Sequence, residues 1–246
     1  MKPPRSAGLT AFRPQIAKLE RRLFLKQGLS LGALSLLSGC TLKDDDVVDR
    51  LLFAMSRFND KMQAALFDPT RLAPTYSEAD VTTPFPFNAY YEEKDVPHID
   101  RESYRLQLSG RIADKRPWSL DDLRALPQTS QITRLVCVEG WSAIGKWRGV
   151  ALRHFLERIG ADLTARYVGF NCADKYYSSV DMQSALHPQT LLALDFADAK
   201  YGYPLRLRIP TKLGFKNPKF IGEIFVTNEY SGGYWEDKGY NWFSGS

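Results

Sequence analysis

The chain has 246 residues, 44% of them hydrophobic, 25% charged and 13% aromatic, a composition that supports a folded core and excludes wholesale disorder. Its formal charge of +5 is concentrated at the start, where residues 1–39 hold seven Lys and Arg against one acid, leaving 26 bases and 27 acids in the rest. Bulk charge therefore gives no support to nucleic-acid binding, which needs a basic surface, and no uncharged apolar run reaches the ~20 residues of a bilayer-spanning helix.

Arg21-Arg22-Leu23-Phe24-Leu25-Lys26 is a twin-arginine pattern followed by the uncharged stretch Gln27 to Leu42. Such a segment is read by an export receptor rather than folded into a domain. Leu37-Ser38-Gly39-Cys40 fits a bacterial lipobox, in which cleavage leaves Cys40 as the lipidated first residue. The alternative is an uncleaved helical anchor in which the cysteine is incidental. Glu20 stands where Ser or Thr usually precedes the arginines. The expectation is a signal peptide over 1–39, a periplasmic location and a lipid tether at Cys40. Twin-arginine export moves proteins already folded, so it also favours a prosthetic group inserted in the cytoplasm.

Residues 40–84 read as a spacer, a helix and an extended arm. Val47, Val48, Leu51, Leu52, Met55, Phe58, Met62 and Leu66 recur at helical spacing after Asp44-Asp45-Asp46, whose acids suit a helix N-terminus. Pro69, Pro74, Pro84 and Pro86 then keep the chain extended. Strands are expected at Tyr104–Leu108, Gln131–Val138, Arg166–Asn171, Leu205–Ile209 and Phe220–Thr227. Helix starts are expected at Ser119-Leu120-Asp121-Asp122, over Val150–Ile159 and near Asp181–Leu186. Strands and helices mixed without a regular βαβ rhythm indicate an α+β class, with residues 85–246 as one domain.

Beyond Cys40, the remaining thiols are Cys137 and Cys172. They suit a disulfide in an oxidising compartment, or Cys137 is a soft thiolate ligand for a metal. His98, His154 and His187 are scattered and no Cys-x-x-Cys pair occurs, which argues against a zinc site of several Cys and His ligands. No Gly-x-Ser-x-Gly elbow is present. Cys137-Val138-Glu139-Gly140-Trp141 leaves a strand for a turn, where side chains can face a cleft. Tyr201 to Arg206 leads into Lys212 to Lys219, gathering Arg206 and three lysines around Gly214. That is suited to a phosphate or diphosphate group and equally to a solvated basic turn.

The Cys137-to-Trp141 motif, Leu186-His187-Pro188, Gly202 to Arg206 and Gly214-Phe215-Lys216 through Lys219 resemble the molybdopterin-binding domain of the sulfite oxidase family. Asn88-Ala89-Tyr90-Tyr91-Glu92 resembles the Asn-x-x-Tyr-Glu element of one branch, the catalytic subunits of bacterial protein-methionine-sulfoxide reductase. Gly233 to Tyr240 also looks typical of the family, so the likeness covers about residues 85–246.

The resemblance implies a single sulfite-oxidase-type domain of mixed sheet with surrounding helices, carrying molybdenum-molybdopterin. It gives Cys137 as the metal ligand and catalytic thiolate. Asn88, Tyr91 and Glu92 would line the pterin and metal pocket, Tyr91 and Glu92 also as catalytic groups. Arg206 and the Asn217-Pro218-Lys219 turn would hold the phosphate tail, with Lys219 the charge partner. Cys172 and Tyr201 fall at cofactor positions where the reductase branch has threonine and asparagine; Cys172 is alternatively a buried small residue. Glu139 is a further acid–base group or a surface ion-pair member, and Trp141, Trp147, Tyr176 and Tyr177 are substrate rim or core. The implied activity is oxygen-atom transfer that reduces an S-oxide or N-oxide, with a membrane cytochrome or other electron-transfer partner. The alternatives are a sulfite-oxidising enzyme or a non-catalytic, disulfide-stabilised binding lipoprotein. A monomer is expected, because the sulfite oxidases that dimerise use an additional domain.

Overall fold

The computed structural model describes residues 45–196 and 199–245; the signal peptide expected over 1–39 and Cys40 lie outside them. Compaction divides the chain after Ala54. The described part of the first unit is the first half of helix α1 (Asp45–Leu66), and Met55–Ser246 form the second unit. Among the described residues no helix is long and apolar enough to cross a membrane.

Two four-stranded sheets build the second unit. The first is mixed, in the order β1 (Gln107–Gly110), β8 (Ile221–Thr227), β4 (Tyr167–Cys172), β5 (Tyr177–Asp181), with β1 parallel to β8 and the other pairs antiparallel. The second is antiparallel throughout, in the order β2 (Gln128–Val136), β3 (Ser142–Ala151), β6 (Leu191–Asp195), β7 (Arg206–Arg208). The α+β class and the mixed sheet with surrounding helices stand, the strands being divided between two sheets.

Short helices join these sheets where the capping chemistry places them. Ser119 accepts from the backbone of Asp122, whose carboxylate returns a bond to the Ser119 N–H, so a capping box starts α2 (Leu120–Arg124). α3 (Leu152–Arg158) follows β3, and Asp181 caps α4 (Met182–Ala185) by accepting from the Ser184 N–H at 2.7 Å. The proline-rich arm runs against the second sheet: the Tyr76 N–H donates to the Ile132 carbonyl and that of Thr82 to Ile144.

The larger core gathers Leu106, Trp118, Leu123, Phe155, Val168, Phe170, Ile224 and Val226, all essentially inaccessible. Phe155 meets Trp118 edge-on at 5.2 Å. Phe155→Ala should destabilise the protein by about 3–5 kcal/mol, readable as a lower urea midpoint; an unchanged midpoint would contradict this packing. A smaller core under the second sheet holds Phe85, Leu135, Trp147, Leu191 and Tyr201.

Candidate active site

The turn joining β2 to β3 presents Cys137. β2 ends at Val136, and the Cys137 N–H donates to the Trp141 carbonyl at 2.9 Å, closing a five-residue loop. Gly140 turns the chain at φ +91°, a conformation that side chains disfavour. Glu139 accepts from the Trp141 indole at 2.9 Å and sits 3.7 Å from the Cys137 sulfur. Burial raises the Cys137 thiol above its ordinary range, the Glu139 carboxylate adds to this, and backbone N–H groups of the loop oppose it.

Cys137 opens into a cleft of about 280 Å³ that also takes Asn88, Tyr90, Tyr91, Glu139, Asp174, Tyr176, Phe215, Asn217, Pro218 and Lys219 into its walls. One wall is organised by Asp174, in the turn between β4 and β5. Its carboxylate accepts from the Tyr91 hydroxyl at 2.9 Å and the Tyr176 N–H at 3.1 Å, while its backbone carbonyl accepts from the Tyr90 hydroxyl. Burial raises the Asp174 carboxyl, and those hydrogen bonds act against it. Burial, then the Asp174 charge, pushes Tyr90 up to about 12 and Tyr91 higher still. Both phenols are therefore fixed hydrogen-bond donors at ordinary pH.

Behind the cleft lies a pair of buried cations. Lys219 donates to the Asn88 carbonyl, and Arg206 donates to the Tyr201 carbonyl at 2.6 Å, with its guanidinium 4.8 Å over the Trp147 ring. Among the described residues, neither takes part in an ion pair shorter than 4.0 Å. Arg206 Nε and Asn88 Oδ1 are buried without a hydrogen-bond partner. Gly202, at φ +120°, makes this juxtaposition possible, since a Cβ there would come within 3.0–3.1 Å of the Lys219 and Arg206 side chains. Arg206 and Gly202 also line a second cavity, of about 580 Å³, with Lys146, Arg148, Tyr201 and Tyr203. Two buried positive charges and an unused donor make a slot for an anion.

Burial lowers Lys219 and Lys212 from the ordinary 10.5 to about 7. Between those values the unfolded chain binds more protons than the folded one, so stability rises with pH. Without a bound anion, the melting temperature is expected to increase from pH 7 to pH 8.5, and Lys219→Met should flatten that rise. A falling melting temperature would contradict the assignment.

The structure separates the residues named from sequence. Asn88, Tyr91, Cys137, Asn217, Pro218 and Lys219 share the cleft. Glu92 does not: its side chain is 75% exposed and pairs with Lys94 at 2.7 Å, because the chain turns outward into a short helical turn at Glu93. Tyr201 and Arg206 line the neighbouring cavity instead. Cys172 lies at the end of β4, packed against the larger core. Cys137 and Cys172 are both free thiols, so the disulfide alternative is not formed. The Asn217 amide accepts from the Ile209 N–H and Arg208 and donates to the Leu213 carbonyl, which fixes the turn. Of the four rim aromatics only Tyr176 lines the cleft; Trp147 is buried against Phe196, 3.7 Å away and nearly parallel. Asp174 and Tyr90 were missed as site residues, although Asp174-Lys175-Tyr176 has the form of an Asx turn.

Residues 93–235 match the family profile described as oxidoreductase molybdopterin binding domain. A chain of Azospira oryzae provisionally named protein-methionine-sulfoxide reductase subunit YedZ1 is 59% identical over 92% of this chain and 88% of its own length. Protein-methionine-sulfoxide reductase catalytic subunits MsrP of Campylobacter jejuni and Xanthomonas campestris are 29% and 31% identical over 56% and 64% of this chain. The chain spans only 54% and 57% of those two relatives. Among solved structures, the sulfane dehydrogenase SoxCD of Paracoccus pantotrophus shares the fold, with a TM-score of 0.51 at 18% identity over 55% of this chain and 40% of that one.

Proposed function

The chain belongs to the family of oxidoreductases with a molybdopterin-binding domain, and from that membership we propose that it reduces an S-oxide at the Cys137 cleft. The observation that carries the reading is the pairing of one cleft thiol with two buried cations that lack an ion-pair partner among the described residues. That donor set fits the cofactor. A soft thiolate suits molybdenum, and Lys219 with Arg206 suits the terminal phosphate of the pterin. When bound, the group would supply two-electron oxygen-atom-transfer chemistry.

The chain's own residues do the rest. Cys137 would hold the metal from a loop tied at both ends, which limits movement of the sulfur. Tyr91, its one hydroxyl proton donated to Asp174, is held in the cleft wall, where it shapes the space for a substrate oxide. Reduction consumes two electrons and two protons and releases water and a sulfide. The Azospira and Campylobacter relatives bear methionine-sulfoxide reductase names, which supports the reducing direction. The twin-arginine pattern and lipobox support export to the periplasm and attachment at Cys40, where a membrane electron donor would be met.

Assays of the loaded enzyme with a reduced artificial electron carrier test this. Turnover of methionine sulfoxide is expected, and oxidation of sulfite with no S-oxide reduction would overturn the direction.

A further inference from the structure

Helix α1 is attached by its polar side. Asp60 is buried and accepts from the Asn241 side chain at 2.7 Å and the Phe243 N–H at 3.0 Å. Arg57 pairs with Asp60 at 3.2 Å and lies 3.8 Å over the Tyr230 ring. The opposite side carries Met55, Phe58, Met62 and Leu66 at spacings of three and four residues, one stripe of a helix. These side chains are 60%, 65%, 46% and 81% exposed. In the first unit, Leu51 and Leu52 of the same helix are also exposed. An amphipathic helix in a globular domain ordinarily turns such a stripe to the core. Here the stripe faces out, which marks a surface to be covered.

The position of the helix in the chain says what covers it. Cys40 precedes Asp45 by five residues, and five extended residues reach at most about 18 Å. Acylation at Cys40 and retention of the uncharged Gln27–Leu42 stretch both hold that point at a bilayer. By helical geometry Lys61 falls about 60° beyond Phe58, at one edge of the stripe, where a cation can reach headgroups. Asp60 falls on the far side. A tether and an apolar helix face are the two signals that together hold a protein at a membrane.

We propose that α1 lies in the lipid interface, with Met55, Phe58, Met62 and Leu66 turned into the acyl boundary. The proposal rests on the anchored reading of the leader, and the test separates the two. The full chain carries Phe58→benzoylphenylalanine and is reconstituted with phosphatidylethanolamine–phosphatidylglycerol vesicles. Flotation reports anchoring; irradiation and mass spectrometry report what touches residue 58. The expected result is a floating protein with a phospholipid adduct at residue 58, and none when the photoreactive group replaces exposed Ala64 on the other side. A floating protein whose adduct is its own leader or a second copy, or that forms no adduct, overturns the proposal and leaves anchoring intact. A protein that stays in the aqueous phase overturns both.

Discussion

Cys137→Ser is expected to abolish measurable S-oxide reduction while leaving the fold intact. The backbone bonds that close the loop run from the Cys137 N–H to Trp141 and from the Gly140 N–H to the Cys137 carbonyl. Neither involves the sulfur, and serine differs by one atom, so unfolding temperature should hardly change. The ligand does change: oxygen is harder and less polarisable than sulfur and donates less charge to a soft centre. Partners outside the ligand shell of a metal alone affect activity about 10- to 100-fold, so exchange of a direct ligand should exceed that range. Some pterin should remain, because the cations that would hold its phosphate are untouched. Full activity in this variant would refute the ligand assignment.

Lys219→Met should lower cofactor occupancy and, in the same protein, raise the stability of the cofactor-free form. Lys219 is buried, with a carbonyl as its hydrogen-bond partner and Arg206 adding a second positive charge nearby. A charge-assisted hydrogen bond is worth about 1.5–3 kcal/mol, so its loss should weaken phosphate holding about 10- to 150-fold. The same change removes a charge whose burial costs free energy in the empty site. Arg206→Met should act in the same direction on occupancy, since its Nε is a buried donor without a hydrogen-bond partner. Pterin retained after dialysis and the melting temperature of the stripped protein are the two readouts. A merely structural lysine would lower both together, and that outcome would contradict the anion slot.

Legibility from sequence followed how local each signal is. Ser119 with Asp122, and Asp181 with Ser184, are contained within four residues, and both helix starts fall where they were expected. β2 starts three residues before the expected strand and stops at Val136, one residue short of Cys137. β3 left no readable trace. Its inward positions include Gly145 and Gly149, and charged Lys146 and Arg148 interrupt the rest. Gly149 is dictated by a neighbour distant in sequence: a Cβ there would sit 1.9 Å from the Leu192 carbonyl oxygen. The apolar period of α1 announced a helix with an apolar side, but periodicity does not say whether that side meets the core.

The site divides in the same way. Cys137, Asn88 and Lys219, which the structure brings to one cleft, lie in motifs whose spacing is set by their own loops. Asp174 was not, because its role comes from Tyr91, 83 residues away. Glu92 was assigned by its neighbour in the motif, yet directly after Tyr91 the chain turns into the short helix Glu93–Asp95. Tyr91 enters the cleft while Glu92 meets solvent.

Metal and pterin content tests the central claim most directly. The protein is purified from a host that makes molybdopterin and assayed for molybdenum and for the fluorescent pterin released on denaturation. About one molybdenum and one pterin per chain are expected. Their absence, in a host that loads a control molybdoenzyme, would make Cys137 a structural thiol and leave the buried cations for another anion.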